Sequence, residues 1–124
     1  ILDPNELALN MALRFRESGH KVKLYIPPSP VSGESIIGKG YVERVYNWQK
    51  EIPKADLTIL TDNSIYQTAL EPFFEKGYHI VGANKKCAEL ELNREAGQEL
   101  LRRYGVKVAN YEVFEDYDEA IRHG

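Results

Sequence analysis

Apolar and polar residues follow each other along this chain with two different spacings, one typical of helices and one of strands. Between Asn5 and Ser18 the apolar residues recur at helical spacing, which predicts an amphipathic helix that Gly19 ends. From Lys21 to Ile26 every second residue is apolar, which predicts a strand. Further short apolar stretches predict strands at 41–46, 57–60 and 78–81, and a helix that Pro72 should kink or split and that ends at Gly77.

The order of these elements predicts an α/β fold, a short parallel sheet flanked by helices. Ile1 and Leu2 look like the end of its first strand, and Asp3-Pro4-Asn5 is a turn and cap signal. Residues 85–104 are helical in pattern, with a break near Asn93 as an alternative, and 106–114 are extended. A last helix begins at Asp116, with Glu119 at the capping-box position. We therefore predict an α/β domain over 1–84 and a smaller unit over 85–124.

Composition and charge narrow the class of protein. The chain has 124 residues, of which 43% are apolar and 28% charged, as in ordinary globular domains. Its net charge of −3, with acids and bases interleaved, argues weakly against nucleic acid or an anionic membrane as a partner. The single Cys87 permits no internal disulfide, which fits a cytoplasmic location. Both ends look cut, so we expect an N-terminal fragment of a longer protein.

Candidate binding residues lie where strands end, because open parallel sheets bind ligands beyond the carboxyl ends of their strands. Thr61, Asp62, Asn63 and Ser64 form a polar group directly after an apolar strand. Asp62 is a candidate contact for a substrate amine or hydroxyl, whereas Asn63 or Ser64 could instead cap the next helix. Glu6, placed in the first turn of the first helix, either contacts a polar substrate or complements the helix dipole.

Several other kinds of site are disfavoured by the sequence. The first strand-to-helix turn contains no glycine, unlike the G-x-G-x-x-G turn of dinucleotide-binding domains. Gly33, Gly38 and Gly40 lie in a long loop that lacks the Walker A pattern, so a mobile surface loop is favoured over one that closes on an anion. The histidines have no ligand spacing. We therefore predict neither a catalytic triad nor a metal site in this chain.

Arg94 is the most informative single residue. If 87–104 is one helix, its guanidinium lies on an apolar face near Gly97, where an unpaired charge would be costly. Such an arginine would then be available for an anionic ligand. The alternatives are a structural ion pair with Glu91 or a helix break near Asn93 that turns Arg94 outward.

The chain resembles the glycinamide ribonucleotide synthetases, also called phosphoribosylamine–glycine ligases, of the ATP-grasp superfamily. The resemblance runs from Glu6-Leu7-Ala8-Leu9 through Asp56–Gly82 and is most specific from Leu90 to Phe114. It implies a Rossmann-like pre-ATP-grasp domain over 1–84, followed by a linker helix and the incomplete first part of an ATP-grasp subdomain. The implied reaction, a step of purine biosynthesis, phosphorylates a substrate carboxylate with ATP and Mg²⁺, and an amine then attacks the acyl phosphate.

The candidate substrate contacts stay those chosen from their position in the predicted fold, namely Glu6, Asp62, Asn63 and Ser64. Arg94 corresponds to a linker lysine that contacts an ATP phosphate, and arginine keeps the charge but binds as a planar fork. Asp3-Pro4-Asn5 replaces the family's glycine-rich turn, which points to different substrates. Catalytic residues and Mg²⁺ ligands would lie beyond Gly124, so neither turnover nor bound cofactor is expected of this chain alone. The implied partners are small-molecule substrates and the rest of the ATP-grasp domain, and a homodimer stays open.

Two rival functions remain at this point. One is another ATP-grasp ligase that joins an amino acid or a peptide. The other is a non-catalytic flavodoxin-like or receiver-like binding domain, in which Asp3 and Asp62 would jointly hold Mg²⁺.

Overall fold

A computed structural model describes residues 1–123 of the chain. The fold is mixed α/β, with short parallel strands, helices and two 3₁₀ turns at Trp48–Lys50 and Ile52–Lys54. The coarse prediction of an α/β fold with a parallel sheet is thus confirmed. The strands and helices are β1 (Lys23–Leu24), β2 (Glu43–Arg44), β3 (Thr58–Ile59), β4 (Ile80–Val81), α1 (Leu9–Glu17), α2 (Gln67–Glu75), α3 (Lys85–Leu92), α4 (Arg94–Arg103) and α5 (Tyr117–His123).

The strands form two parallel pairs that Leu2 joins. In one pair β1 lies beside β2, and in the other β3 lies beside β4. Leu2 forms parallel bridges to Tyr25 on one side and to Leu60 on the other. The spatial order is therefore β2, β1, Leu2, β3, β4, with every strand running in the same direction.

Apolar side chains cover both faces of this arrangement. On one face α1 packs against β1 and β2, forming a cluster of Ala8, Ala12, Leu24, Ile26 and Val42. On the other face α2 and the 3₁₀ turns pack against Leu2, forming a cluster of Leu2, Trp48, Ile52, Leu60 and Leu70. Burial on both faces is expected for parallel strands. Alternate residues of 22–26 are apolar because Val22, Leu24 and Ile26 all face the cluster under α1.

The first helix begins later than the sequence predicts. Glu6 has a left-handed backbone conformation, with φ of 62°, and lies before α1. Its placement in the first helical turn is therefore wrong, and so is the helix-dipole role that depended on it. The physical reason is Asp3, whose side chain accepts hydrogen bonds from the backbone N–H groups of Leu7 and Ala8 and holds 3–8 as a separate turn.

The second helix is continuous despite its internal proline. Pro72 lies inside α2, which runs unbroken from Gln67 to Glu75, so the predicted split is wrong. Leu70 of this helix is fully buried in the cluster around Trp48. The left-handed Gly77 follows the helix end, as predicted.

The helical stretch after residue 84 is broken at Asn93, which confirms the alternative of two helices. Asn93 ends α3, and its side chain accepts a hydrogen bond from the backbone N–H of Ala96 in the first turn of α4. At Gly97 a Cβ atom would lie 2.2 Å from the backbone oxygen of Leu90. Glycine is thus required for the close approach of the two helices, and the single helix with Arg94 on an apolar face is wrong.

The last part of the described chain contains few regular elements. Residues 106–114, predicted to be extended, belong to none of the named strands. The side chain of Asp116 accepts a hydrogen bond from the Glu119 backbone N–H at 2.7 Å, so the predicted cap of α5 is confirmed. Helix α3 contacts α2, and α4 contacts α3. The division at residue 84 stays a prediction.

Within residues 1–123, none of the helices combines the length and apolar character that crossing a lipid bilayer requires.

Candidate functional site

The candidate site lies where the strand at Leu2 and strand β3 end side by side. Asp3 follows Leu2 and is fully buried, and Thr61 follows Leu60 on the neighbouring strand. The Thr61 hydroxyl donates to the Asp3 carboxylate at 3.0 Å, and the Thr61 backbone N–H donates to the Leu2 oxygen at 3.1 Å. These bonds fix the two strand ends relative to each other and present the next residues on the same edge of the sheet.

Asp62 is the partly exposed acid at this edge. One carboxylate oxygen accepts from the side-chain amide of Asn5 at 2.7 Å. The other accepts from the backbone N–H of Ser64 at 2.7 Å and from its hydroxyl at 2.6 Å. The structure therefore brings the turn after Leu2 and the turn after β3 together through one carboxylate.

Hydrogen bonding governs the charge state of Asp62. Partial burial alone would raise its pKa, but the Ser64 hydroxyl and N–H and the Asn5 amide all stabilise the carboxylate, and the net pKa lies below the usual 3.8. Asp62 is consequently a fixed negative charge at neutral pH. Such a group can accept hydrogen bonds from an ammonium or hydroxyl group of a ligand.

Asn63 connects this edge to helix α3, because its side-chain amide donates to a carboxylate oxygen of Glu91. Neither Asn63 nor Ser64 caps the following helix, since α2 starts later and has no side-chain cap. That alternative reading of the two residues is wrong. Ser64 instead closes a tight turn on Asp62. Asn63 makes a long-range contact that no local sequence pattern indicates.

Glu6 and Arg94 do not share the hydrogen bonds of this cluster. Both side chains are exposed. Arg94 begins α4, close in sequence to Glu91 at the end of α3. The predicted pair between Arg94 and Glu91 is absent from the ion pairs among residues 1–123. The predicted break that turns Arg94 outward is the reading that the structure supports.

Arg44 has a structural role that the sequence did not indicate. Its guanidinium donates to the backbone oxygens of Ser35, Ile37 and Ile26, which ties the long loop to the end of β1. In the same loop, a Cβ atom on Gly38 would lie 3.0 Å from the Val42 side chain. The loop is thus anchored at its base, and its mobility stays a prediction.

Among residues 1–123, no three His, Cys, Asp or Glu side chains lie close enough together to hold a metal ion. The described residues thus do not fit the Mg²⁺ that the resemblance implies. No chemical step is therefore assigned to this ion.

Comparison with curated proteins gives a consistent set of relatives. The chain is 31% identical over 116 residues to the phosphoribosylamine–glycine ligase of Halalkalibacterium halodurans, covering 89% of this chain and 27% of that protein. It is 34% identical over 71 residues to the enzyme of that name from Fusobacterium nucleatum, covering 56% of this chain and 17% of the other. The chain is 40% identical over 48 residues to the enzyme of that name from Chlorobaculum tepidum, covering 39% of this chain and 11% of that protein.

The chain is similar in sequence to the phosphoribosylamine–glycine ligases. It spans at most about a quarter of the length of these ligases, with 27% as the largest share of the three. The resemblance read from the sequence is therefore confirmed. No protein-family model matches the chain, and no solved structure matches it.

Proposed function

We propose that this chain forms the substrate-side portion of an ATP-dependent carboxylate–amine ligase of the phosphoribosylamine–glycine ligase type. The similarity to several ligases of that name is the observation that carries the proposal. In the proposed reaction, a step of purine biosynthesis, an oxygen of the glycine carboxylate takes the γ-phosphoryl group of ATP, which forms an acyl phosphate and releases ADP. The amine of phosphoribosylamine then attacks its carbonyl carbon, and phosphate leaves as the amide bond forms.

The strand order supports a Rossmann-like, pre-ATP-grasp role for 1–84. The strand at Leu2 has β1 and β2 on one side and β3 and β4 on the other. In doubly wound sheets the order reverses beside the first strand, and ligands bind in the crevice beyond the carboxyl ends there. Asp62, Asn63 and Ser64 lie at this position.

Asp62 is proposed to bind a substrate amine or hydroxyl. Its carboxylate is ionised and positioned by Asn5 and Ser64, and a pre-oriented acid loses little freedom when a ligand binds. Asn63 and Ser64 are proposed to contribute mainly by holding the turn. Glu6, exposed on the neighbouring turn, is proposed as a second polar contact.

Arg94 is proposed to contact an ATP phosphate in the full-length ligase. Arg94 is exposed, and it follows α3, whose last turn contains Glu91. Glu91 is hydrogen-bonded to Asn63 of the candidate site. A guanidinium at this point would bind phosphate oxygens in a fork. The further cationic side chains and the metal-binding acids that such a reaction needs are proposed to lie outside this chain.

A binding experiment on the 124-residue chain tests the substrate role of Asp62. Amide signals of Asn63 and Ser64 would be followed by NMR during titration with glycine and, separately, with ribose 5-phosphate. We expect saturable shifts with at least one of the two. Loss of the charged hydrogen bond in Asp62→Asn should weaken that binding about tenfold.

Asp56→Asn is the matched control, because Asp56 is an exposed acid that precedes β3 at the other end of the strand. Its binding should equal that of the unchanged chain. If neither ligand shifts the amide signals of Asn63 or Ser64, or if both variants bind equally well, Asp62 has no substrate role.

The 124-residue chain should release no ADP from ATP, and steady ADP release would contradict the proposal that catalytic residues lie elsewhere.

Of the two rival functions, the receiver-like domain receives less support. Asp3 is buried and engaged by Leu7, Ala8 and Thr61, and Asp62 by Asn5 and Ser64. Two acids with these partners are poorly placed to share a metal ion. A ligase with an amino-acid or peptide substrate remains the second proposal, favoured by the absence of glycine from the turn at 3–6.

A further inference from the structure

One hydrogen bond joins the candidate binding edge to the helices that follow it. The side-chain amide of Asn63 donates to a carboxylate oxygen of Glu91 in the last turn of α3. Among residues 1–123, no other hydrogen bond or ion pair connects 1–83 with 85–123. The contact therefore has a position in the fold that no other polar contact of the described chain duplicates.

Apolar packing holds α3 only weakly. Helix α2 contacts α3, but Ala88 is the one buried side chain of α3, and the larger Leu90 and Leu92 are 46% and 59% exposed. Burial of a methyl group contributes less than burial of a leucine side chain, because the contribution scales with the buried apolar area. The direction of α3 therefore depends on what holds the two ends of the helix.

The start of α3 is fixed by the chain that enters it. At Gly82 a Cβ atom would lie 2.8 Å from the Leu60 Cβ, so glycine lets this connection pass close to the end of the neighbouring strand. Asn84 then caps the helix, and its side chain accepts from the Cys87 N–H at 2.9 Å. A helix anchored at its start alone can still pivot. Glu91 lies about 9 Å further along the axis, so a bond from that point removes this freedom.

Arg94 moves together with Glu91 because the joint between α3 and α4 is tight. Asn93 ends α3 and caps α4 with its own side chain. The backbone of Gly97 lies against the backbone of Leu90, with no room for a side chain between them. The two helices are therefore one unit, and the place of Arg94 relative to the sheet is determined by where Glu91 is held.

We propose that the bond between Asn63 and Glu91 is a positioning contact for this helix pair. It holds Arg94 at a fixed place relative to Asp62, which directly precedes Asn63. The positioning stands on the contacts alone. Its consequence for the reaction rests on the proposed ligase function: a substrate at Asp62 and a phosphate at Arg94 are aligned through this bond, and alignment contributes strongly to catalysis.

A spin label on Cys87 tests the positioning without any ligand. Cys87 is the single cysteine and is exposed on α3, and the relaxation that a nitroxide causes at the Ser64 amide depends steeply on their distance. Glu91→Ala should raise the detached population of α3 about threefold to tenfold, the effect of losing one hydrogen bond to a charged group, and the relaxation enhancement should change with it. Glu89→Ala removes an exposed acid from the same helix and should leave the enhancement unchanged.

An exchange of donor and acceptor separates this bond from local damage at either position. Asn63→Asp alone places two carboxylates opposite each other and should also release α3. Combining Asn63→Asp with Glu91→Gln lets the new amide at position 91 donate to the new carboxylate at position 63. The combined variant should regain the relaxation enhancement of the unchanged chain.

In a full-length ligase that carries these residues, the same variants separate positioning from binding. Glu91→Ala should lower kcat about tenfold and change the KM of each substrate by less than about twofold, because both binding groups remain while their alignment is lost. The combined exchange of donor and acceptor should restore most of the lost kcat.

Equal relaxation enhancement in Glu91→Ala and Glu89→Ala would overturn the proposal. A combined variant whose α3 stays as displaced as in Asn63→Asp would overturn it too, and so would a Glu91→Ala enzyme with raised KM and unchanged kcat. If the full-length protein joined no carboxylate to an amine, the proposed function would fall, whereas the spin label would still decide whether the contact positions the helices.

Discussion

The hydroxyl of Thr61 donates to the buried carboxylate of Asp3 at 3.0 Å, across 58 positions of sequence. The same carboxylate accepts the N–H groups of Leu7 at 3.1 Å and Ala8 at 2.8 Å. One side chain thus joins two strand ends and organises the turn that leads into α1. The candidate binding edge depends on this residue even though Asp3 itself is inaccessible to a ligand.

Replacing Asp3 with alanine should destabilise the fold. Three donors in a buried setting would lose their acceptor, and we expect a loss of about 2–3 kcal/mol in the free energy of unfolding. Urea denaturation followed by circular dichroism measures this. Asp56→Ala, at an exposed acid, is the control and should change stability by less than about 0.5 kcal/mol. Equal stabilities of the two variants would contradict the role assigned to Asp3.

Gly97→Ala should loosen the joint between α3 and α4. The added Cβ would lie 2.2 Å from the Leu90 oxygen, and relieving such overlap costs about 1–3 kcal/mol. Alanine favours an isolated helix by about 1 kcal/mol over glycine, so a net loss identifies the steric contact. Hydrogen exchange of the α4 amides measures it, with Gln98→Ala as a near-neutral control in the same helix. Slower exchange in Gly97→Ala would contradict this prediction, because it would mean that the added Cβ meets no steric resistance and only the higher helix propensity of alanine counts.

Arg94→Ala should leave stability unchanged and weaken nucleotide binding in a full-length ligase that carries these residues. The side chain is exposed, so its removal should shift the free energy of unfolding by less than about 0.5 kcal/mol. Loss of a charged hydrogen bond to phosphate should raise the Kd for ATP about tenfold or more. Calorimetric titration compares the Kd of Arg94→Ala with that of the control Arg103→Ala. Arg103 is an exposed arginine that pairs with Glu99. Equal affinities would remove Arg94 from the nucleotide site.

The amino group of Ile1 should make the stability of the 124-residue chain depend on pH. Its pKa falls from 8.0 to about 6 on folding, chiefly through burial, so the unfolded chain binds more protons between these values. Stability should therefore rise from pH 6 to pH 8, by about 2 kcal/mol at most. Urea denaturation across this range measures the slope. Acetylation of Ile1 removes the titrating group and should abolish the slope, and an unchanged slope would assign it to another residue.

Local patterns predicted the order of the elements well, because they depend on spacing and on chain-ending residues. The alternation of Val22, Leu24 and Ile26 placed β1, and Gly19 and Gly77 marked the ends of two helices. Sequence similarity to the phosphoribosylamine–glycine ligases supports the resemblance that these patterns suggest. These signals lie within a few residues of the structures that they determine.

The errors arise where one side chain captures backbone N–H groups and changes the local conformation, or where a contact joins residues far apart in sequence. Glu6 was assigned to a helix because its neighbours have helical spacing, but the Asp3 carboxylate captures the N–H groups that would start it. Arg94 was placed on an apolar face by assuming one helix, but Asn93 caps a second one. The bond from Asn63 to Glu91 spans 28 positions, and no pattern in a single sequence indicates it.

Trp48, the only tryptophan of the chain, is 4% exposed and stands edge-on to the Tyr66 ring at 5.5 Å between centroids. Its fluorescence consequently reports on the packing around Leu2 and α2. Melting of α4 or α5 would pass unnoticed in the emission spectrum. An optical unfolding curve recorded at tryptophan wavelengths thus describes the strand-containing part of the molecule, and far-ultraviolet dichroism must accompany it to follow the remaining helices.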